Sequence, residues 1–214
     1  MIDGKTAEKF AEYMKKYTDL YEYLAQVVRR YIPNSQPLIV DLGAGPGLLS
    51  LEIHKKIPKA VIVGIDPLVK MLKLADENAK DARFKQLSIM AGLSEKIPLK
   101  NNTVDVVVSR FSLPYWKQPA GSFSEISRVL KPGGRVVLEA LNREFSVWKL
   151  FIIKIHMLLN LAGGDVARYH LDAYKNAYTM DQVKTFLADV GFVIIETEGT
   201  KKDWKFIVVA EKKS

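Results

Sequence analysis

The sequence predicts an α/β fold in which helices cover both faces of a mainly parallel sheet. Three observations support this fold class. Short apolar runs rich in β-branched residues alternate with helical segments between residues 37 and 139, as in chains that form parallel sheets. A glycine-rich turn over residues 41–47 joins the first of these runs to a helix. The chain then ends in two strand-like runs, 192–196 and 204–210, and their short connection predicts an antiparallel pair.

The composition is typical of one cytoplasmic domain with a sizeable core. The chain has 214 residues, of which 48% are hydrophobic. It has no cysteine, which excludes disulfides, thiolate metal sites and cysteine nucleophiles, and we expect no bound metal. Residues 1–5 carry no apolar core of a signal peptide. The net charge of +8 is spread along the chain, so solvated faces explain it and a nucleic-acid partner is disfavoured.

The first 34 residues are expected to form a helical cap. Within it, residues 5–31 predict one amphipathic helix, because apolar side chains recur at spacings of three and four. Pro33 ends the pattern, since proline cannot continue a helix. The apolar stripe consists of Phe10, Tyr13, Met14, Tyr17, Leu20, Tyr21, Leu24, Val27, Val28 and Tyr31. Two interpretations stay open: the stripe packs on the domain, or its aromatic side chains also cover a ligand.

The glycine-rich turn follows the first predicted strand, which includes residues 37–40. Gly43, Gly45 and Gly47 stand at alternate positions, and Asp41 precedes the first of them by two residues. Glycines allow a tight turn and let a ligand lie against bare main chain, while the next helix directs free N–H groups at the ligand. The third glycine comes one position earlier than in the G-x-G-x-x-G dinucleotide fingerprint. The alternative is a tight turn with no ligand.

Asp66 is the second candidate binding residue. It ends the next apolar run, 60–66, nineteen residues after Gly47. An acidic residue at the end of the second strand binds the ribose hydroxyls in nucleotide-binding sheets, because its two oxygens can accept from both hydroxyls. The alternative is a carboxylate that caps the helix beginning at Pro67.

The remaining elements follow in alternation. We expect further strands over 87–91, 103–109 and 135–139, and helices over 47–57, 68–80, 120–130 and 179–190. Lys131-Pro132-Gly133-Gly134 is typical of a helix stop and turn. Thr179 with Gln182 forms a capping-box pattern at the start of the last helix.

Taken together, these motifs resemble the class I S-adenosylmethionine-dependent methyltransferases. The resemblance is greatest to the branch of ubiquinone/menaquinone-biosynthesis C-methyltransferases, and it covers residues 36–141 and 178–211. Four stretches carry it: Asp41 to Gly47, Val63 to Asp66, Pro98 with Val104 to Ser109, and Arg128 to Gly134. It implies a single Rossmann-like domain over 1–214, with a seven-stranded sheet in the order 3-2-1-4-5-7-6 and strand 7 antiparallel.

The resemblance also implies a set of residues for the cofactor, S-adenosyl-L-methionine. Asp41 would orient the glycine loop, Asp66 would bind the ribose, and residues 109–111 would lie near the methionine carboxylate and amino group. The full set is Asp41, Gly43, Ala44, Gly45, Gly47, Asp66, Pro67, Leu93, Ser94, Ser109, Arg110 and Phe111.

One stretch departs from the family pattern. After the third strand the family usually has Gly-Asp-Ala, whose Asp accepts a hydrogen bond from the adenine amino group. Here the aligned residues are Gly92, Leu93 and Ser94. Adenine would therefore depend on packing by Leu93 and on backbone or hydroxyl contacts from Ser94.

Residues 142–178 are expected to form a helical insertion that covers the substrate. Its segment 146–161 is strongly apolar but too short and too charged to span a bilayer. It is either a lid helix packed on the sheet, or a surface that contacts apolar substrates or the membrane. His170 and Glu139 are the candidate catalytic bases, although many methyl transfers need only alignment.

The function predicted from the sequence is methyl transfer from S-adenosylmethionine to a small, apolar molecule. Enzymes that methylate nucleobases carry an Asn/Asp/Ser-Pro-Pro-aromatic motif after strand 4, and residues 112–115 match it incompletely. Two alternatives stay open: a nucleic-acid methyltransferase, which the net charge permits, and a non-catalytic domain that binds S-adenosylmethionine.

Overall fold

The computed structural model describes residues 4–146, 148–150, 155 and 172–213. Helices lie on both faces of one seven-stranded sheet, whose order β3-β2-β1-β4-β5-β7-β6 confirms the predicted fold. The strands are β1 Leu38–Leu42, β2 Val61–Asp66, β3 Leu87–Ala91, β4 Val104–Arg110, β5 Leu130–Leu141, β6 Phe192–Glu198 and β7 Lys205–Lys212. The helices are α1 Gly4–Lys15, α2 Thr18–Arg30, α3 Leu48–Lys56, α4 Val69–Asp81, α5 Pro119–Val129 and α6 Met180–Asp189, with a short 3₁₀ helix at Leu113–Tyr115.

The strand directions also match the prediction. β1, β2, β3, β4 and β5 run parallel, whereas β7 pairs antiparallel with both β5 and β6. The carboxyl ends of the parallel strands therefore meet at one edge of the sheet, where α/β proteins bind ligands. This edge brings together the residues that follow β1, β2, β3 and β4.

The predicted single N-terminal helix is wrong. α1 ends at Lys15 and α2 begins at Thr18, with Tyr17 in a non-helical conformation between them. The apolar spacing continues across the break, so periodicity alone does not reveal it. The two helices have different neighbours: α1 contacts α4, whereas α2 packs against α3 and β5.

Two apolar layers hold the helices to the sheet. On one face, Leu24 and Val28 of α2 pack against Val106 and Val137. On the other face, the layer between the sheet and helices α5 and α6 includes Phe123, Ile126, Val107, Val136, Leu187 and Phe206. Successive residues of β4 thus point into opposite layers, as expected for a strand buried on both faces.

β5 begins earlier than the sequence predicts. The expected turn over 131–134 is a bulged segment within β5, since Val104 pairs with Leu130 and Val106 pairs with Arg135. Gly133 has a φ of +72°, which glycine adopts at little cost. At α6 the capping box of Thr179 and Gln182 is present, as predicted.

Candidate active site

The glycine loop leaves β1 in a conformation that favours glycine. Gly43, Gly45 and Gly47 have φ values of +78°, +53° and +75°, all in the left-handed region. The backbone N–H groups of Gly43 and Ala44 both donate to the carbonyl oxygen of Ile65, at 2.7 and 3.1 Å. The loop is therefore fixed to the carboxyl end of β2, beside the position where β2 ends in Asp66.

The three glycines have different surroundings. A Cβ atom on Gly43 would lie 2.4 Å from the Cβ of Ser112, and one on Gly47 would lie 3.1 Å from the Cβ of Ala75. Packing thus requires glycine at both positions. A Cβ on Gly45 would have no protein atom within 4 Å. Gly45 therefore offers open space against bare main chain, which is where a ligand fits.

Asp41 lies beneath this loop, 1% exposed. It accepts a hydrogen bond of 2.7 Å from the Ser50 hydroxyl of α3. Burial raises the pKa of Asp41 to about 6, while the bond from Ser50 opposes that change. The carboxylate connects β1 to α3 on either side of the loop, which is the geometry that a loop-orienting residue needs.

Asp66 accepts two backbone hydrogen bonds, and its role at the ribose stays a prediction. Its Oδ1 accepts from the backbone N–H of Leu68, at the turn into α4, and its Oδ2 accepts from the backbone N–H of Gly45, both at 2.9 Å. Each oxygen keeps a second lone pair that a ribose hydroxyl can use. Burial raises the pKa of Asp66, and the two backbone donors oppose it. Pro67, which follows, is exposed.

The end of β3 presents an apolar side chain. Leu93 is 43% exposed, whereas Ser94 is buried. The Ser94 hydroxyl donates to Glu95 at 3.1 Å and accepts from the Ser122 hydroxyl at 2.9 Å. The structure thus directs this hydroxyl into the protein, away from the adenine contact suggested for it.

At the end of β4, Ser109 joins the two strands on which the site is built. Its hydroxyl donates to the carbonyl oxygen of Leu42 at 2.7 Å and also contacts the Ser112 hydroxyl. Phe111 has a φ of +54°, an uncommon value for a residue other than glycine, and its N–H donates to the carbonyl oxygen of Glu139 at 2.8 Å. The chain therefore turns sharply directly after β4, and the ring of Phe111 lies at the carboxyl edge.

Arg110 and Glu139 form a buried ion pair at the same edge. Nε of Arg110 lies 2.6 Å from Oε2 of Glu139, and the two side chains are 5% and 0% exposed. Lys205 forms a second ion pair with the other carboxylate oxygen. The guanidinium lies between the rings of Tyr21 and Phe111, at 4.1 and 4.3 Å from their centroids.

This cluster alters the expectation for Glu139. Its carboxylate is shared by two cations, so the geometry favours a role in positioning Arg110 and Lys205 over a role as a free base. Nη2 of Arg110 is buried and has no hydrogen-bond partner in the described part of the chain. Two cations and one anion leave a net positive charge, which favours an anionic ligand group at this edge.

Sequence reasoning missed Lys205 as a site residue, and it named Tyr21 only as one of the aromatic residues that could cover a ligand. Arg110 and Glu139 are register partners on neighbouring strands, so their contact follows from the strand ends. The position of Lys205 depends on the antiparallel register of β7 with β5, in which it pairs with Leu141. The position of Tyr21 depends on how α2 packs. Neither register nor packing is visible in spacing along the chain.

Aromatic side chains surround the same edge. The rings of Phe111 and Trp204 are 5.4 Å apart, and the Tyr174 hydroxyl donates to the carbonyl oxygen of Trp204 at 3.3 Å. Phe111, Tyr174 and Trp204 pack over the buried Leu141. We call these three residues the aromatic cluster. A cavity of about 240 Å³, lined by Tyr23, Glu198, Trp204 and Lys205 among others, lies beside it.

Part of the expected insertion lies outside the described residues, including His170 and most of segment 146–161. At its start, Asn142 donates to the carbonyl oxygens of Thr200 and Asp203, both at 3.0 Å. Trp148 is 78% exposed and Ile155 is 43% exposed. Among the residues that the structure describes, no helix has both the length and the apolar character to cross a membrane.

Comparisons with known proteins agree with this geometry. Residues 40–138 match a family model described as a methyltransferase domain. The chain is 30% identical over 172 residues to the ubiquinone/menaquinone biosynthesis C-methyltransferase UbiE of Geotalea daltonii, a match that covers 76% of this chain and 72% of that protein. It is 33% identical over 110 residues to the demethylmenaquinone methyltransferase of Corynebacterium kroppenstedtii, covering 51% and 44%.

A solved structure extends the likeness to the whole fold. It is of a protein from Methanococcus maripaludis, described as a candidate S-adenosylmethionine-dependent methyltransferase. The TM-score is 0.76 at 25% identity, with 99% of this chain and 94% of that chain covered. The chain spans between 37% and 52% of the length of several other curated relatives that it matches.

The strand order, the glycine loop and the carboxylate after β2 define a Rossmann-like α/β methyltransferase. The chain belongs to the class I S-adenosylmethionine-dependent methyltransferases and resembles the quinone methyltransferases among them. Its cofactor is S-adenosyl-L-methionine. The residues present fit this cofactor, because Gly45 faces open space directly beside the carboxylate of Asp66.

Proposed function

We propose that this protein methylates a small, apolar acceptor bound between the glycine loop and the aromatic cluster. The aromatic cluster is the observation that carries the proposal. Phe111 follows β4, next to the strand that leads into the glycine loop, and its ring packs against Trp204 at this edge of the sheet. Aromatic rings with few convergent polar groups are typical of sites for small apolar molecules.

The names of two relatives support the same substrate class. The Geotalea protein is named for ubiquinone/menaquinone biosynthesis and the Corynebacterium protein for demethylmenaquinone. Both names refer to small, largely apolar molecules. The acceptor that we propose for the present chain is therefore a small apolar molecule, with no particular molecule named.

The residues proposed to hold the cofactor divide into four groups. The loop of Gly43, Ala44, Gly45 and Gly47, oriented by Asp41, supports the methionine part. Asp66 and the exposed Pro67 lie at the ribose, and Leu93 with the backbone of Ser94 lies at the purine. Ser109 fixes β4 to β1, while Arg110 and Phe111 are assigned to the region of the methionine carboxylate and the acceptor.

Alignment is the main catalytic task of these residues. The bound cofactor supplies an electrophilic methyl group on a sulfonium centre. The aromatic cluster excludes water and holds the acceptor, and the paired Arg110 and Lys205 stabilise an anionic oxygen on it. Glu139 positions both cations. His170 stays a candidate for a general base.

A panel of methyl acceptors tests the proposal by release of S-adenosylhomocysteine. We expect turnover with small apolar phenols, hydroquinones or related molecules. Trp204→Ala should raise the acceptor KM about tenfold, because a large apolar contact is lost. The same variant should leave the Kd for S-adenosylmethionine within about threefold. Phe186→Ala, in the layer between the sheet and helices α5 and α6, controls for lost packing.

Two results would contradict this function. Turnover with RNA or DNA and with none of the small acceptors would indicate a nucleic-acid methyltransferase. Binding of S-adenosylmethionine without turnover on any acceptor would indicate a non-catalytic binding domain.

A further inference from the structure

The purine end of the cofactor site has an unusual chemical character in this chain. The ribose position is fixed by Asp66, whose backbone carbonyl accepts from the N–H of Gly92 at 3.3 Å. Asp66 is also the register partner of Ala91, the last residue of β3. A nucleoside that extends from the glycine loop past Asp66 therefore places its base against the segment that begins at Gly92.

This segment offers no free side-chain acceptor for a 6-amino group. Leu93 is apolar and 43% exposed. The hydroxyl of Ser94 is occupied inside the protein by Glu95 and Ser122. The one remaining candidate between residues 92 and 99 is the carboxylate of Glu95.

The carboxylate of Glu95 is held by donors of the protein. Its Oε1 accepts from the backbone N–H of Gln118 at 2.9 Å, just before α5, and its Oε2 accepts from Ser94. Burial raises the pKa of Glu95, but backbone donors outweigh it and hold the pKa below its usual value. Both oxygens of this carboxylate are thus engaged by protein donors, which hold it against Ser94 and the start of α5.

We propose that Leu93 makes the cofactor site insensitive to the 6-amino group of the purine. The site then accepts purines that lack this amino group and purines that carry a substituent on it. The proposal rests on the assignment of Gly45 and Asp66 to the cofactor. The exposed Leu93 side chain covers the base by apolar contact, which is indifferent to a hydrogen-bond donor. A bulky 6-substituent then extends past Leu93 toward solvent.

Binding measurements with cofactor analogues test the proposal without catalysis. Isothermal titration calorimetry compares S-adenosylhomocysteine with its analogue that has hydrogen in place of the 6-amino group, and with its N6-benzyl derivative. For the wild type we expect the three Kd values to agree within about threefold. Leu93→Asp should prefer S-adenosylhomocysteine over the deamino analogue by about tenfold or more, because a charged acceptor then faces the amino group.

Two further variants separate specificity from general effects. Leu93→Ala should weaken all three ligands alike, since only apolar contact is lost. Val61→Asp adds the same charge at a Val that is 46% exposed at the start of β2, on the opposite edge of the sheet, and should change no Kd ratio. Thermal melts confirm that each variant is folded.

The outcomes distinguish this inference from the assignment of the site. A wild type that binds S-adenosylhomocysteine but binds the deamino analogue tenfold or more weakly overturns the role of Leu93 alone. A wild type that binds none of the three ligands overturns the assignment of Gly45 and Asp66, and with it this inference.

Discussion

Asp41 is the residue whose ionisation depends most directly on the fold. It is 1% exposed, and its remaining contact with a donor side chain is the 2.7 Å bond from Ser50. The hydroxyl and the backbone N–H of Ser50 compensate only part of the cost of burying a carboxylate. Burial therefore raises the pKa of Asp41 from 3.8 to about 6, so that the folded protein takes up a proton near neutral pH.

This shift predicts a specific dependence of stability on pH. Because the folded pKa is above the unfolded value, the stability contributed by Asp41 is complete below pH 3.8 and is lost as the pH rises through about 6. Relative to Asp41→Asn, the free energy of unfolding of the wild type should fall by on the order of 3 kcal/mol between pH 3.5 and pH 7. Urea titrations of both proteins across this range measure the difference. A difference that is constant with pH would contradict the raised pKa.

At the scale of single elements, the glycine loop shows what the sequence reveals and what it does not. The spacing of the glycines and Asp41 predicts a cradle, and the structure contains one. The spacing does not show that Gly43 and Gly47 are required by Ser112 and Ala75, since those contacts come from other elements. The break between α1 and α2 escaped prediction for the same reason, because it depends on which neighbour each helix contacts.

Gly45 of the loop and Gly133 of β5 provide a matched pair of glycine substitutions. Gly45 and Gly133 both have positive φ values, +53° and +72°, and a Cβ on either would meet no protein atom within 4 Å. Alanine at either position should therefore cost a similar amount of stability, about 1–2 kcal/mol, from backbone strain alone. Only Gly45→Ala should also weaken S-adenosylmethionine, by about tenfold or more, because its methyl group occupies the space proposed for the ligand.

Calorimetry and urea unfolding of the two variants separate strain from ligand contact. Equal loss of affinity in Gly45→Ala and Gly133→Ala would show that strain, not the methyl group, is responsible. Unchanged affinity in Gly45→Ala would remove this glycine from the binding site.

At the scale of the whole molecule, the parallel core and the closing hairpin could be predicted because local patterns determine them. Alternating apolar runs predict β1 to β5, and the short connection between the last two apolar runs predicts the antiparallel pair of β6 and β7. The cation pair of Arg110 and Lys205 around Glu139 could not be predicted, since it joins residues that are far apart in the chain through sheet register. Local sequence patterns therefore predict the strands that form this edge of the sheet, whereas its ion-pair cluster arises only when the sheet assembles.

The insertion after β5 leads to a prediction about the molecule as a whole. Trp148 is 78% exposed and Ile155 is 43% exposed, and both lie in the apolar segment 146–161. Tryptophan is favoured at membrane interfaces, and the net charge of +8 attracts anionic lipid headgroups. We expect the wild type to sediment with phosphatidylglycerol liposomes at low salt, and Trp148→Ser to reduce the bound fraction about twofold or more.

Salt separates the two contributions to this binding. Electrostatic attraction is screened over about 8 Å at physiological ionic strength, so the fraction that persists at high salt reports contact of apolar side chains with the bilayer. Val61→Ser, which replaces an exposed apolar residue at the opposite edge of the sheet, should sediment like the wild type. Equal sedimentation of the wild type and a variant that lacks residues 146–161 would show that this segment does not contact the membrane, and its apolar residues would then be assigned to a lid packed on the sheet.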